Sequence, residues 1–296
     1  MQNHDITIEK HPLKGILICL LAYFFISLTG IFSKFLTQTT SISIILFFQN
    51  IICFLLITAG LIKNKISILK PQHISTYLVR IISGLACYAS LFYIIKFIPI
   101  SEALIYQYSA SLWIPFIMLF WWNVRMPRQL WWGILIGFVG ILLILKPGSA
   151  HLGFVSLIGL ICAISQALSV VSVRKLSINE PMLRILFYYF LVGTIISTPF
   201  LIINWTPLTL NNLLLLSAVG LSTYLAQRFF TAAFHYANAT TLAPICYSSI
   251  LFSGLFGWFF WHEMPAGITL LGMILVIAGC LLSVVMSREK SVAAFD

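Results

Sequence analysis

The side chains able to do acid–base, nucleophilic or metal chemistry are few in this chain and poorly placed for it. The acids are Asp5, Glu9, Glu102, Glu180, Glu263, Glu289 and Asp296, and all lie in tails, in loops or at the ends of apolar runs. His4, His11, His73, His151, His235 and His262 do the same. Cys19, Cys53, Cys87, Cys162, Cys246 and Cys280 each sit inside an apolar run, with no CxxC pair or His-rich neighbourhood, which reads as core packing rather than redox or metal chemistry. The nearest approach to a catalytic pair is the dipeptide His262-Glu263, and a membrane enzyme would need more than that. No cofactor and no metal are expected.

What remains is recognition chemistry. Arg228, in "TYLAQRFFTAAF", is a guanidinium well inside an apolar stretch. Such a charge is costly unless it faces a watery cavity or an anion. No Asp or Glu falls near the middle of any apolar stretch, so a substrate carboxylate or phosphate could supply the counter-charge. The competing reading has Arg228 snorkelling to an interface or bonding backbone carbonyls. Arg80 lies six or seven residues from the start of its own stretch, where snorkelling is the better account. In "SEALIYQYSASLW", helical spacing puts Glu102, Tyr106, Ser109 and Trp113 on one face with Gln107 and Tyr108 beside them, a surface able to hold a planar or cationic ligand. Gln49, Asn50 and Gln166 are polar residues within apolar stretches that could bond across helices.

The elements that carry these residues follow from composition. Of the 296 residues 60% are hydrophobic and 8% charged, where a soluble chain has about a quarter charged. The surface must therefore meet lipid, and disorder and a disulfide-stapled secreted fold are excluded. The net charge of +10 comes from scattered residues that form no patch with exposed aromatics, so no nucleic acid is expected. No cleavable signal pattern is present at the start. With about 20 apolar residues per span, the chain divides into ten, near 14–36, 41–62, 74–97, 101–122, 130–146, 153–174, 183–203, 212–234, 239–261 and 266–287. With the N-terminus cytoplasmic, that side receives Lys10, Lys14, Lys63, Lys65, Lys70, Arg125, Arg128, Arg174, Lys175, Arg184, Arg288 and Lys290, and the other side only Lys34, Lys96 and Lys146. This asymmetry predicts both termini inside.

The chain also resembles itself. "VRMPRQLWWGILIGFVGILLI" from Val124 reads against "EMPAGITLLGMILVIAGCLLS" from Glu263, and Gly84 and Tyr88 align with Gly220 and Tyr224. Ser33-Lys34-Phe35-Leu36 aligns with Val173-Arg174-Lys175-Leu176. Five spans per half is an odd number, so the second half enters the membrane in the opposite sense, an inverted repeat suited to alternating access. Gly133, Gly137, Gly140, Gly272 and Gly279 recur at spacings of three, four and seven, a face for close helix packing. Pro115, Pro199 and Pro244 lie within or at the start of spans, where each could be a static kink or a gating hinge.

These features, above all the segment from Ala237 to Leu282, resemble the EamA-type transporters of the drug/metabolite transporter superfamily over about residues 14–287. The first half departs from the pattern, with Arg125 where the second half has Glu263 and Tyr106 where it has Pro244. The resemblance implies an all-α polytopic membrane protein with two inverted five-helix repeats, 14–148 and 149–287, between cytoplasmic tails 1–13 and 288–296. It also implies a cavity lined by the first, third and fourth spans of each half. Tyr88, Tyr106, Tyr108, Trp113, Gln166, Tyr224, Gln227 and Tyr247 are then its candidate lining, with Arg228. The expected function is inner-membrane transport of a small polar or amphipathic metabolite such as an amino acid or S-adenosylmethionine, with Arg228 holding the acid group. The alternative is export of amino acids or of toxic lipophilic or cationic compounds. A small-molecule substrate and the bilayer are the expected partners, and nothing in the sequence requires more than a monomer.

Overall fold

The structure, a computed structural model, describes residues 12–63, 73–122, 130–145, 150–176, 180–233, 236, 245, 248–262, 267–268, 270–279 and 282. Among these every regular element is a helix. In chain order they are α1 (Pro12–Thr37), α2 (Ile42–Lys63), α3 (Ile74–Ile94), α4 (Ile100–Tyr108), α5 (Ala110–Trp122), α6 (Leu130–Leu145), α7 (Ala150–Leu176), α8 (Met182–Ile203), α9 (Leu210–Ala233), α10 (Ser248–Trp261) and α11 (Leu270–Gly279). Six of them, α1, α2, α3, α7, α8 and α9, are long and apolar enough to cross a bilayer. The others are shorter apolar helices. The fourth apolar stretch, expected as one continuous span, is divided at Ser109, whose hydroxyl donates to the Tyr106 carbonyl at 2.7 Å in competition with the backbone ladder.

Hydrocarbon supplies no hydrogen-bond partner, so polar side chains in these helices bond within the protein. Ser27 donates to the Tyr23 carbonyl, Thr29 to Phe25, Asn50 to Leu46, Ser172 to Leu168 and Thr194 to Phe190, each one turn back along its own helix. Large apolar side chains such as Leu17, Leu55, Ile82, Val139, Leu255 and Phe259 are exposed, and form the face that meets lipid. α5 and α8 continue as helices through Pro115 and Pro199; Pro244 lies outside the described residues.

The helices pair in a pattern that is unchanged when the two halves are exchanged. α1 packs on α9, α3 on α7, α2 on α8 and α4 on α10. The α1/α9 pair is antiparallel, with Lys14 over the Tyr236 ring at one end and Thr39 donating to Asn212 at the other. So are α3/α7, where Arg80 meets Ser169 and Tyr93 meets Phe154, and α2/α8, where Phe54 meets Phe187 and Ser43 meets Asn204. These directions gather Lys14, Lys63, Lys175 and Arg184 at one end of the bundle, called here the Lys14 end, and Lys34 and Lys96 at the other.

α6 and α11 meet backbone to backbone. A Cβ on Gly140 would lie 2.6 Å from the Gly272 carbonyl oxygen, and one on Gly279 would lie 2.5 Å from the Gly133 carbonyl oxygen and the Gly137 nitrogen. Backbone cannot yield as a flexible side chain can, so only glycine permits this approach. Gly153 has nothing within 4 Å of such an atom. Gly140→Ala and Gly279→Ala are therefore expected to destabilise the detergent-solubilised protein by about 1–3 kcal/mol, and Gly153→Ala to leave it unchanged. Thermal melting of the three variants checks this.

Candidate functional site

Two places in the bundle collect the chemistry-bearing residues. The first is a groove between α2, α8 and α9, lined by Ile57, Gly60, Leu183, Leu186, Tyr224, Gln227 and Arg228. One turn of α9 supplies its polar floor, because residues three and four apart share a helix face. Arg228 is exposed; its guanidinium donates to the Tyr224 hydroxyl at 3.4 Å and sits 5.9 Å from that ring's centroid. Gly60 faces it across the groove, where a Cβ would lie 3.9 Å from an Arg228 nitrogen, an ordinary contact. The groove lies near the end of α2 and the start of α8, and so belongs to the Lys14 end.

The second place is the buried seam where α3, α4 and α7 meet. Gln107 of α4 is buried and donates to the Cys87 sulfur at 3.7 Å; Cys87 in turn donates to Gln166 at 3.3 Å and lies 3.7 Å from the Cys162 sulfur. Tyr106 packs its ring where a Cβ on Gly159 would fall and donates to Ser156 at 3.2 Å. The side-chain oxygen of Gln107 is buried without a hydrogen-bond partner. The exchange-related seam between α1, α9 and α10 holds smaller hydroxyls, with Thr29 bonded to Ser222 at 2.9 Å and Ser27 donating to the Ser249 carbonyl at 3.0 Å.

The residues singled out from sequence are thus distributed. Tyr224, Gln227 and Arg228 share the groove, and Tyr106 and Gln166 border the seam. Tyr88 is half-buried and packs on Phe92. Tyr108 meets Tyr23 edge-on at 6.0 Å in an aromatic cluster with Phe230 towards the Lys14 end. Trp113 of α5 packs against Phe116 and Phe138, with its indole nitrogen buried and unbonded. Tyr247 lies outside the described residues.

Arg80 does not snorkel. It is 9% exposed, and its guanidinium turns into the bundle, stacking 4.2 Å from the Tyr189 ring centroid of α8 and donating to Ser169 of α7. A Cβ on Gly84, one turn along α3, would come 2.7 Å from an Arg80 nitrogen and 2.6 Å from the Tyr189 ring, so this glycine makes the space in which the two side chains meet. The Arg80/Gly84 spacing of four was the available signal; Ser169 and Tyr189 lie too far along the chain for pattern to connect them. Nearby, buried Glu180 accepts from the Tyr77 hydroxyl and pairs with Arg184 at 3.6 Å, fastening α3 to the start of α8. Among the described residues no group of three or more His, Cys, Asp or Glu could hold a metal.

An all-helical apolar bundle built from two exchange-related halves around buried polar seams defines a multi-pass integral membrane protein. The chain belongs to the EamA-like transporter family, whose pattern matches residues 13–146 and again 153–285, one repeat each. It is 32% identical over 281 residues to the pseudopaline exporter CntI of Pseudomonas aeruginosa, covering 93% of this chain and 96% of that one. It is also 26% identical over 291 residues to the S-adenosylmethionine uptake transporter of Rickettsia prowazekii, covering 96% and 97%, and 28% identical over 234 residues to that of Rickettsia bellii, covering 78% of each. A protein of known crystal structure superposes with a TM-score of 0.66 at 16% identity over 93% of this chain and 98% of its own, a likeness of fold alone.

Removing one member of a buried ion pair strands the other. Glu180→Ala is expected to destabilise the protein by about 3 kcal/mol and Glu180→Gln by less, because the amide still accepts from Tyr77. Thermal melting in detergent compares them.

Proposed function

We propose that this chain is a secondary carrier of a small zwitterionic, carboxylate-bearing metabolite of the amino acid or S-adenosylmethionine type. Ten spans in two inverted five-span repeats, bounded near 14–148 and 149–287 with both termini cytoplasmic, would carry it by alternating access. The observation that carries this reading is the antiparallel, exchange-symmetric pairing of α1 with α9 and α3 with α7 along buried polar seams. Halves related in this way can rock about their contact and open a midplane site to either side. Gly133, Gly137, Gly140, Gly272 and Gly279 serve as the close α6/α11 contact, and Pro115, Pro199 and Pro244 as the bends that such rocking uses.

In this reading the Lys14 end faces the cytoplasm, in keeping with its basic residues. Arg228 with Tyr224 and Gln227 receives the substrate's acid group there, while Tyr88, Tyr106, Tyr108, Trp113, Gln166 and Tyr247 face the rest of the path. The S-adenosylmethionine uptake transporters among the relatives support this substrate class. A second reading, export, is favoured by the 32% identity to the pseudopaline exporter over nearly the whole chain. The carrier is taken to work as a monomer.

The test is counterflow in proteoliposomes with S-adenosylmethionine and the amino acids as substrates. Arg228→Ala is expected to lower transport of the accepted carboxylated substrate about tenfold, the effect of losing one charge-assisted hydrogen bond. Unchanged transport of every carboxylated substrate would overturn the role of Arg228. Preloading vesicles and following efflux separates export from uptake.

A further inference from the structure

We propose that Arg80, clamped between Tyr189 and Ser169, is a second and deeper carboxylate-binding site on the same path. The inference rests on the carrier reading above.

Arg80 is more than nine-tenths buried, and among the described residues its side chain makes no ion pair. Its contacts include the Ser169 hydroxyl and the Tyr189 ring. A guanidinium has five N–H donors in a fixed fork that fits a carboxylate, and here the Nε donor is buried with no hydrogen-bond partner. Glu180, which bonds Tyr77 one turn before Arg80 on α3, is committed to Tyr77 and Arg184. Tyr189 supplies a cation–π face rather than a counter-charge, so the positive charge keeps its full preference for an anion.

The position fits a path. Leu183 and Leu186 of α8 line the Arg228 groove, and Tyr189 stands three residues beyond Leu186, about one helical turn deeper from the Lys14 end. Tyr224 of the groove packs against the side-chain cluster that holds Tyr189 and Tyr77, so the groove wall abuts the clamp. A substrate carboxylate leaving Arg228 would meet Arg80 next, and the two guanidinium groups would act in succession as the halves rock. Gly84 is a requirement of this site, because any larger residue would push Arg80 and Tyr189 apart.

Two pairs of probes that differ in the carboxyl group test this: L-methionine against 3-(methylthio)propylamine, and S-adenosylmethionine against its decarboxylated form. Thermal shifts of the purified full chain are read at constant ionic strength, with Arg80→Gln, Arg80→Lys and Arg228→Ala in parallel. The wild type is expected to be stabilised in a concentration-dependent way by at least one carboxylated probe and not by its partner. The apparent affinity should fall at least tenfold in both Arg80 variants. No carboxyl-dependent shift in the wild type, or the same shift kept in either Arg80 variant, overturns the proposal. Where Arg80→Gln fails to give monodisperse protein, Arg80→Lys decides. If carboxylates stabilise through Arg80 while no probe undergoes counterflow, the carrier reading fails and the site stands. If counterflow proceeds unaltered in the Arg80 variants, the reverse holds.

Discussion

In hydrocarbon a polar group that finds no partner within the protein finds none at all, and that constraint shapes each layer of this bundle. It makes the chain helical, since helices close their own backbone hydrogen bonds. It turns serine and threonine hydroxyls back onto carbonyls one turn earlier in their own helices, as at Ser27, Thr29 and Thr194. It also confines the interior polar residues to a few seams, where Gln107, Cys87, Cys162 and Gln166 bond one another across three helices.

The same constraint explains why helix contacts rely so heavily on small residues. Lipid is as apolar as leucine, so burying a leucine between helices gains little; close van der Waals approach gains more. Gly140 and Gly279 bring α6 and α11 into backbone contact, and Gly84 performs a related service for polar groups by leaving the space in which Arg80 reaches Tyr189. Exchange of the halves relates the helix pairs but not the residues within them. The α3/α4/α7 seam carries amides and thiols, whereas its counterpart at α1/α9/α10 is joined by short hydroxyls. A symmetric scaffold thus holds two seams of different chemistry.

The membrane character, the helical class, the internal duplication and the family were all legible in the sequence, because each depends on composition or on residues close together along the chain. The Tyr224, Gln227 and Arg228 grouping was legible for the same reason, being one turn of one helix. The division of the fourth apolar stretch at Ser109 was not, because a single hydroxyl that bonds the backbone leaves no mark on hydropathy.

The sequence by itself determined that this chain must live in lipid and fold twice on a common plan, since scarcity of charge and repeated glycine spacings admit no soluble alternative. Only the tertiary structure decided where the charges it does carry point. Arg80 and Arg228 stand at similar depths in their apolar stretches, yet Arg228 lies exposed in a groove on Tyr224, while Arg80 is drawn inward by Ser169 and Tyr189 from two other helices. The difference is set by which neighbours offer an acceptor or an aromatic face, and those neighbours are brought together by packing between helices far apart in sequence.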